Sequence, residues 1–132
     1  MHSFNPVDAQ ILLGLYGAHQ TDGFSCLDVI AACAAINNSI PTPAEFTEAF
    51  NKLLYVSAIT IDGEKVTLEN FGSELINKAK SNAGVKAQLG ELVIFVDREL
   101  SAYKLKSMCN RHVWTKEQYQ QAVELHRSNI KP

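Results

Sequence analysis

The sequence predicts a mainly helical protein with one β-hairpin, on three observations. Apolar residues recur at helical spacing along most of the chain. Thr42-Pro43-Ala44-Glu45 forms a strong helix start. Asp62-Gly63 stands between two short β-prone runs. The 132 residues fit one domain, or a domain with an extension. With 46% hydrophobic and 20% charged residues, the chain is expected to build a real core and not to be disordered.

Asn5-Pro6-Val7-Asp8 reads as the first helix start. Asn5 caps, Pro6 fits the first position because its missing N–H has no partner there, and Asp8 suits the positive end of the helix dipole. The helix is expected to reach about Ala18 and to end over Thr21-Asp22-Gly23. Val7, Ile11, Leu12, Leu13, Leu15 and Tyr16 surround most of its circumference, which places it centrally. A second helix starts at Ser25, with Asp28 completing a weak capping box, and runs to about Ile36. No charged residue occurs between positions 29 and 44, so this helix is expected to be buried on more than one side.

After a connector over residues 37–41, Thr42 caps the third helix, Pro43 takes its first position and Glu45 closes a capping box. Phe46, Phe50, Leu53 and Leu54 form its amphipathic stripe. The runs 58–61 and 64–68 around Asp62-Gly63 predict a tight hairpin. A fourth helix spans about 70–80, with Phe71, Leu75, Ile76 and Ala79 inward, and Ser81-Asn82-Ala83-Gly84 is its terminator and a hinge. A fifth helix is predicted over 85–103. Val85, Leu89, Leu92, Val93, Val96, Leu100 and Tyr103 fall on one stripe and Ile94 lies opposite, so two partners are expected, the protein body and a second subunit. Intramolecular core is the alternative for the same stripe. Thr115 and Gln118 can box the start of a last helix, with Trp114 stapled onto Tyr119.

Helix, short extended piece at Gly23-Phe24, helix, helix, hairpin, helix is an order that resembles the winged helix-turn-helix family. The resemblance covers roughly residues 6–80. Its most telling parts are Thr42-Pro43-Ala44-Glu45-Phe46, the stretch 58–68 as the wing, and the entry Leu68-Glu69-Asn70-Phe71-Gly72-Ser73-Glu74-Leu75. It extends to small bacterial winged-helix proteins of unassigned function, some with a comparable Ile-Pro-Thr before the third helix. Two departures stand out. The connector over 37–41 is longer than the usual turn of about 3–4 residues, and Glu69 replaces the usual Thr or Ser cap. The resemblance implies a winged domain over 1–81, and the apolar stripe of 85–103 leads to the expectation that residues 82–132 form a helical extension serving as a dimerisation element. The predicted homodimer interface is Leu89, Leu92, Val93, Val96, Leu100 and Tyr103.

In such a family the third helix enters the DNA major groove. That implies Ala44, Thr47, Glu48 and Asn51 at base edges, Lys52 on phosphate and Lys65 at the wing. Asn51 suits adenine and Glu48 suits the cytosine amino group. Charge opposes this role. Residues 1–81 carry four cations and nine anions, a balance of −5, whereas residues 82–132 carry eight cations and five anions, a balance of +3. Affinity for nucleic acid scales with the phosphates that Lys and Arg neutralise, so the third helix has too few cations unless Lys104, Lys106 and Arg111 fold beside the wing. The expected function is therefore a protein-interaction or regulatory module with weak or no specific DNA binding. A DNA-binding transcriptional regulator using helix 43–57 and the wing is the alternative.

No catalytic or nucleotide-binding motif occurs, so no enzyme activity and no cofactor are expected. Cys109-x-x-His112 lacks the second ligand pair that zinc requires. Three cysteines argue against a disulfide framework. Cys26 sits at a helix start, where the dipole favours a thiolate, although a half-buried structural cysteine is the commoner case. There is no signal-peptide pattern and no apolar run long enough to cross a bilayer, so a cytoplasmic protein without a membrane partner is expected.

Overall fold

The computed structural model of the chain describes residues 3–17 and 23–129. Among these, the elements follow as α1 (Pro6–Gly17), α2 (Cys26–Asn37), α3 (Pro43–Tyr55), β1 (Ile59–Asp62), β2 (Lys65–Leu68), α4 (Asn70–Ala83), α5 (Leu89–Ser101) and α6 (Lys116–Asn129). The protein is mainly α, with a two-stranded antiparallel hairpin after α3 and further helices beyond it.

Local chemistry sets the helix starts. The Asn5 side-chain oxygen accepts from the N–H groups of Val7 and Asp8, and the Asp8 carboxylate accepts from the Asn5 N–H at 2.8 Å. The capping boxes at Ser25/Asp28 and Thr42/Glu45 both form, as does the Thr115/Gln118 pair. Each satisfies two backbone donors that a helix start leaves open. The expected end of the first helix at residues 18–22 lies outside the described residues. α2 closes on Asn38, whose left-handed backbone (φ 58°) turns its N–H onto the Ala34 carbonyl; asparagine tolerates that conformation better than most residues.

α1 is the central helix. Ala9, Ile11, Leu12, Leu13 and Leu15 are buried around it, and α2, α3, α4 and α5 all pack on it. The hairpin pairs Ile59 with Leu68 through to Asp62 with Lys65, so its loop is Gly63-Glu64, one residue later than the Asp-Gly pair suggests. Gly63 takes φ 62°, which a two-residue hairpin turn requires and glycine supplies without strain. Phe24 adds one further rung by exchanging hydrogen bonds with Val66 at 2.7 and 3.0 Å. α4 runs past the expected stop at 80 to Ala83, because only Gly84 (φ 90°) breaks the helical backbone. Gly72 is there for space: a Cβ would lie 2.6 Å from the Ala58 carbonyl oxygen.

The fifth helix departs most from expectation. It begins at Leu89 rather than at 85, because the Ala87 N–H closes a turn onto the Gly84 carbonyl ahead of the helix. Val85 is therefore 102% exposed, and Tyr103 lies beyond the helix end. Leu92, Val93, Val96 and Leu100 are buried in the chain's own core, with α5 packed on α4 and α1. The predicted dimer stripe thus packs largely within the chain. Four of its six residues are covered within the chain, and only Leu89 and Tyr103 are exposed. A second subunit could reach the four only by unpacking α5.

Beyond α5, residues 102–115 form an irregular strap, pinned by the fully buried Leu105, that leads to α6. α6 does not return to α5 but packs chiefly on α2. Both halves of the chain enter one hydrophobic core.

Candidate functional site

The outer side of α3 is the surface a groove-reading helix would present, and the strap crosses it. Asn51 is the crossing point. Its backbone carbonyl accepts the Cys109 N–H at 3.2 Å and its side-chain oxygen accepts the Arg111 N–H at 2.8 Å. Its side-chain amide donates to the Arg111 carbonyl at 2.9 Å and to the Thr47 carbonyl at 2.8 Å. Asn51 is 3% exposed. Both amide protons are engaged, so none is left to read a base.

Lys52 is also corrected from solvent to interior. It is fully buried, with its ammonium 2.6 Å from the Asp8 carboxylate, 3.1 Å from the Ser3 carbonyl and 3.4 Å from Glu48. Three partners match its three protons. Burial raises the Asp8 carboxyl above its usual 3.8, while hydrogen bonds from Lys52 and the Asn5 N–H pull it back. This pair ties the start of α1 to the end of α3 and leaves no cation there for phosphate.

Aromatic packing closes the strap. The Trp114 ring stands edge-on to Phe50 at 5.1 Å and to Phe46 at 5.4 Å, and Tyr119 lies 6.1 Å from Phe46. The polar ends of these rings are satisfied elsewhere in the fold. The indole N–H donates to the Glu64 carbonyl in the hairpin loop at 3.0 Å, and the Tyr119 hydroxyl donates to the Pro41 carbonyl at 2.6 Å. Gln118 also bonds the Glu64 carboxylate, and the Arg111 guanidinium reaches the Ile61 carbonyl at 3.5 Å. The void left in this aromatic seam is about 10 Å³, room for one water at most.

The remaining predicted contact residues stay accessible. Ala44 and Glu48 are exposed, Thr47 is half-buried, and Lys65 is exposed on the hairpin. Ala44, Thr47 and Glu48 share a groove of about 910 Å³ with Met108, His112 and Lys116. A second groove, of about 410 Å³, runs between the start of α2, the hairpin loop and α6, past Cys26, Glu64 and Leu125. Burial, aided by the nearby Glu64 charge, pushes the Cys26 thiol up to about 12, and burial alone does the same for Cys33. Desolvation therefore outweighs the helix-start dipole at Cys26, and the thiol stays protonated at neutral pH.

Sequence reasoning missed the roles of Trp114 and Tyr119 on α3 and the buried Asp8–Lys52 pair. A lone tryptophan ahead of a capping box was the available signal for the first. For the second there was none, because periodicity shows which face of α3 meets the core and not what covers its flanks. Among the described residues, no three His, Cys, Asp or Glu side chains gather as a metal site, and no helix is long and apolar enough to cross a membrane. No protein-family model, curated protein or solved structure matches this chain.

Proposed function

We propose that this chain is a winged helix-turn-helix protein whose third helix has been withdrawn from DNA reading, and that it works as a non-catalytic protein-interaction or regulatory module. The element order supports the fold reading, with the hairpin as the wing and the Phe24–Val66 rung as the short third strand of such a sheet. One observation carries the functional reading. Asn51 and Lys52, the residues best suited to base and phosphate, are buried and fully engaged, and residues 109–114 lie across the helix they come from. The part of α3 at Asn51 and Lys52, covered by its own chain, cannot enter a major groove without losing that cover.

A DNA-binding regulator is the second reading, and one observation favours it: Arg111 reaches the hairpin, so part of the late positive charge does come beside the wing. Fluorescence anisotropy with labelled genomic duplexes at physiological salt separates the two. The expected result is weak, sequence-independent binding, in the range of about 1–100 μM typical of non-specific contacts. Sub-micromolar, sequence-selective binding that is lost in Lys65→Ala would overturn the proposal.

A further inference from the structure

We infer that the strap and the first turns of α3 form a docking groove for an acidic, partly apolar protein segment. The inference rests on the reading above and names its partner class. Charge comes first. Residues 100–116 contain Lys104, Lys106, Arg111 and Lys116 and no Asp or Glu. All four cations and His112 are exposed, and none has an ion-pair partner among the described residues. The strap backbone is meanwhile held at Leu105, at Asn51 and at Trp114. The cations are therefore mounted on an ordered track, which lowers the entropy lost when an anion binds.

Shape supplies the second half. Beside the strap lies the groove of about 910 Å³, with Pro43, Ala44, Met108 and Trp114 as apolar wall and Lys116 and His112 on its lining. Its one carboxylate, Glu48, lies 3.4 Å from buried Lys52, a cation it shares with Asp8. An acidic segment carrying an apolar side chain satisfies both features: its apolar group meets the wall, and its carboxylates meet Lys116 on the lining and the exposed Lys104 and Lys106 of the strap.

Nucleic acid satisfies only one of them. Four cations give a shallow gain from phosphate neutralisation, and the apolar wall adds nothing to a phosphate backbone. The observations therefore favour an acidic protein partner.

The test uses the full chain and a short fluorescein-labelled peptide alternating Glu with Leu, with a labelled DNA duplex of similar charge as the second probe. Trp114 is the only tryptophan and lines the groove, so its emission reports occupancy directly. The expected results are saturable peptide binding with a change in Trp114 emission, weakened about tenfold by Lys116→Glu and retained by Lys116→Arg. Ala44→Phe, which narrows the groove at its apolar wall while leaving the strap charge and the single tryptophan intact, should also weaken it about tenfold. Circular dichroism confirms that each variant is folded. No peptide binding, or binding indifferent to both Lys116→Glu and Ala44→Phe, overturns the inference and leaves the proposed function standing. Duplex binding tighter than peptide binding overturns the inference, and it overturns the proposed function as well where that binding is sub-micromolar and sequence-selective.

Discussion

α3 and α5 were the two helices whose surfaces the sequence marked for partners, and they were used in opposite ways. α5 has a continuous apolar stripe that looks like an interface, yet Leu92, Val93, Val96 and Leu100 all lie inside the chain's own core. α3 has a polar flank that looks like a contact surface, yet Asn51 and Lys52 are buried as deeply as that stripe. An apolar stripe says only that a helix must be covered, and intramolecular elements are the nearest cover. A polar flank is buried when neighbours supply every hydrogen bond and counter-charge it requires, which α1 and the strap do here.

The largest effect should come from α3. Lys52→Met leaves the Asp8 carboxyl buried without its partner, and breaking a buried pair costs about 3–5 kcal/mol. Urea denaturation should show this loss, and an unchanged midpoint would mean that the polar flank carries no stability. On α5, Leu100→Ala should cost about 2–5 kcal/mol through the cavity it opens, and the loss should be the same at all protein concentrations. A loss that shrinks as concentration rises would show that the stripe meets a second copy after all.

Asn51→Ala strips the strap of its hydrogen bonds to Arg111 and leaves that backbone pair unsatisfied, a cost of about 1–3 kcal/mol. Hydrogen exchange should accelerate at the amides of residues 109–111 and not in α5; equal acceleration in both would erase the distinction between the two regions.

The last effect is absent at neutral pH and develops only in alkali. Cys33 ionises at about 12 in the fold against 9.0 for an ordinary thiol. Between these values the unfolded chain releases its proton first. The Cys33 contribution is therefore complete below pH 9.0 and is lost as pH rises toward 12. Urea midpoints should fall more steeply above pH 9.0 in the wild type than in Cys33→Ala. Parallel profiles would place the thiol in contact with solvent.

Much of the fold was legible because much of it is local. The cap residues Asn5, Ser25, Thr42 and Thr115 act on backbone groups two or three positions away, so their pattern in the sequence is the interaction itself. The hairpin was legible for the same reason, with its loop displaced by one residue because Asp62 stays in the ladder opposite Lys65. The start of α5 was less legible: apolar spacing continues back to Val85, but the turn after Gly84 interrupts the backbone, and spacing alone does not register φ. The candidate site was least legible. Ala44, Glu48 and Lys65 are exposed as expected, whereas Asn51, Lys52 and Trp114 acquire their roles from partners 44 to 60 positions distant.

The amino-acid order alone determined where helices start, where the chain reverses in the hairpin and which stripe of each helix turns inward. These follow from hydrogen bonds and side-chain spacing within a few residues. Only the tertiary structure decided that the strap runs over α3, that α6 docks on α2 and that a lysine and an asparagine are interior groups. Those outcomes depend on which remote segment supplies the partner, and burial of a polar group is stable only once that partner is in place.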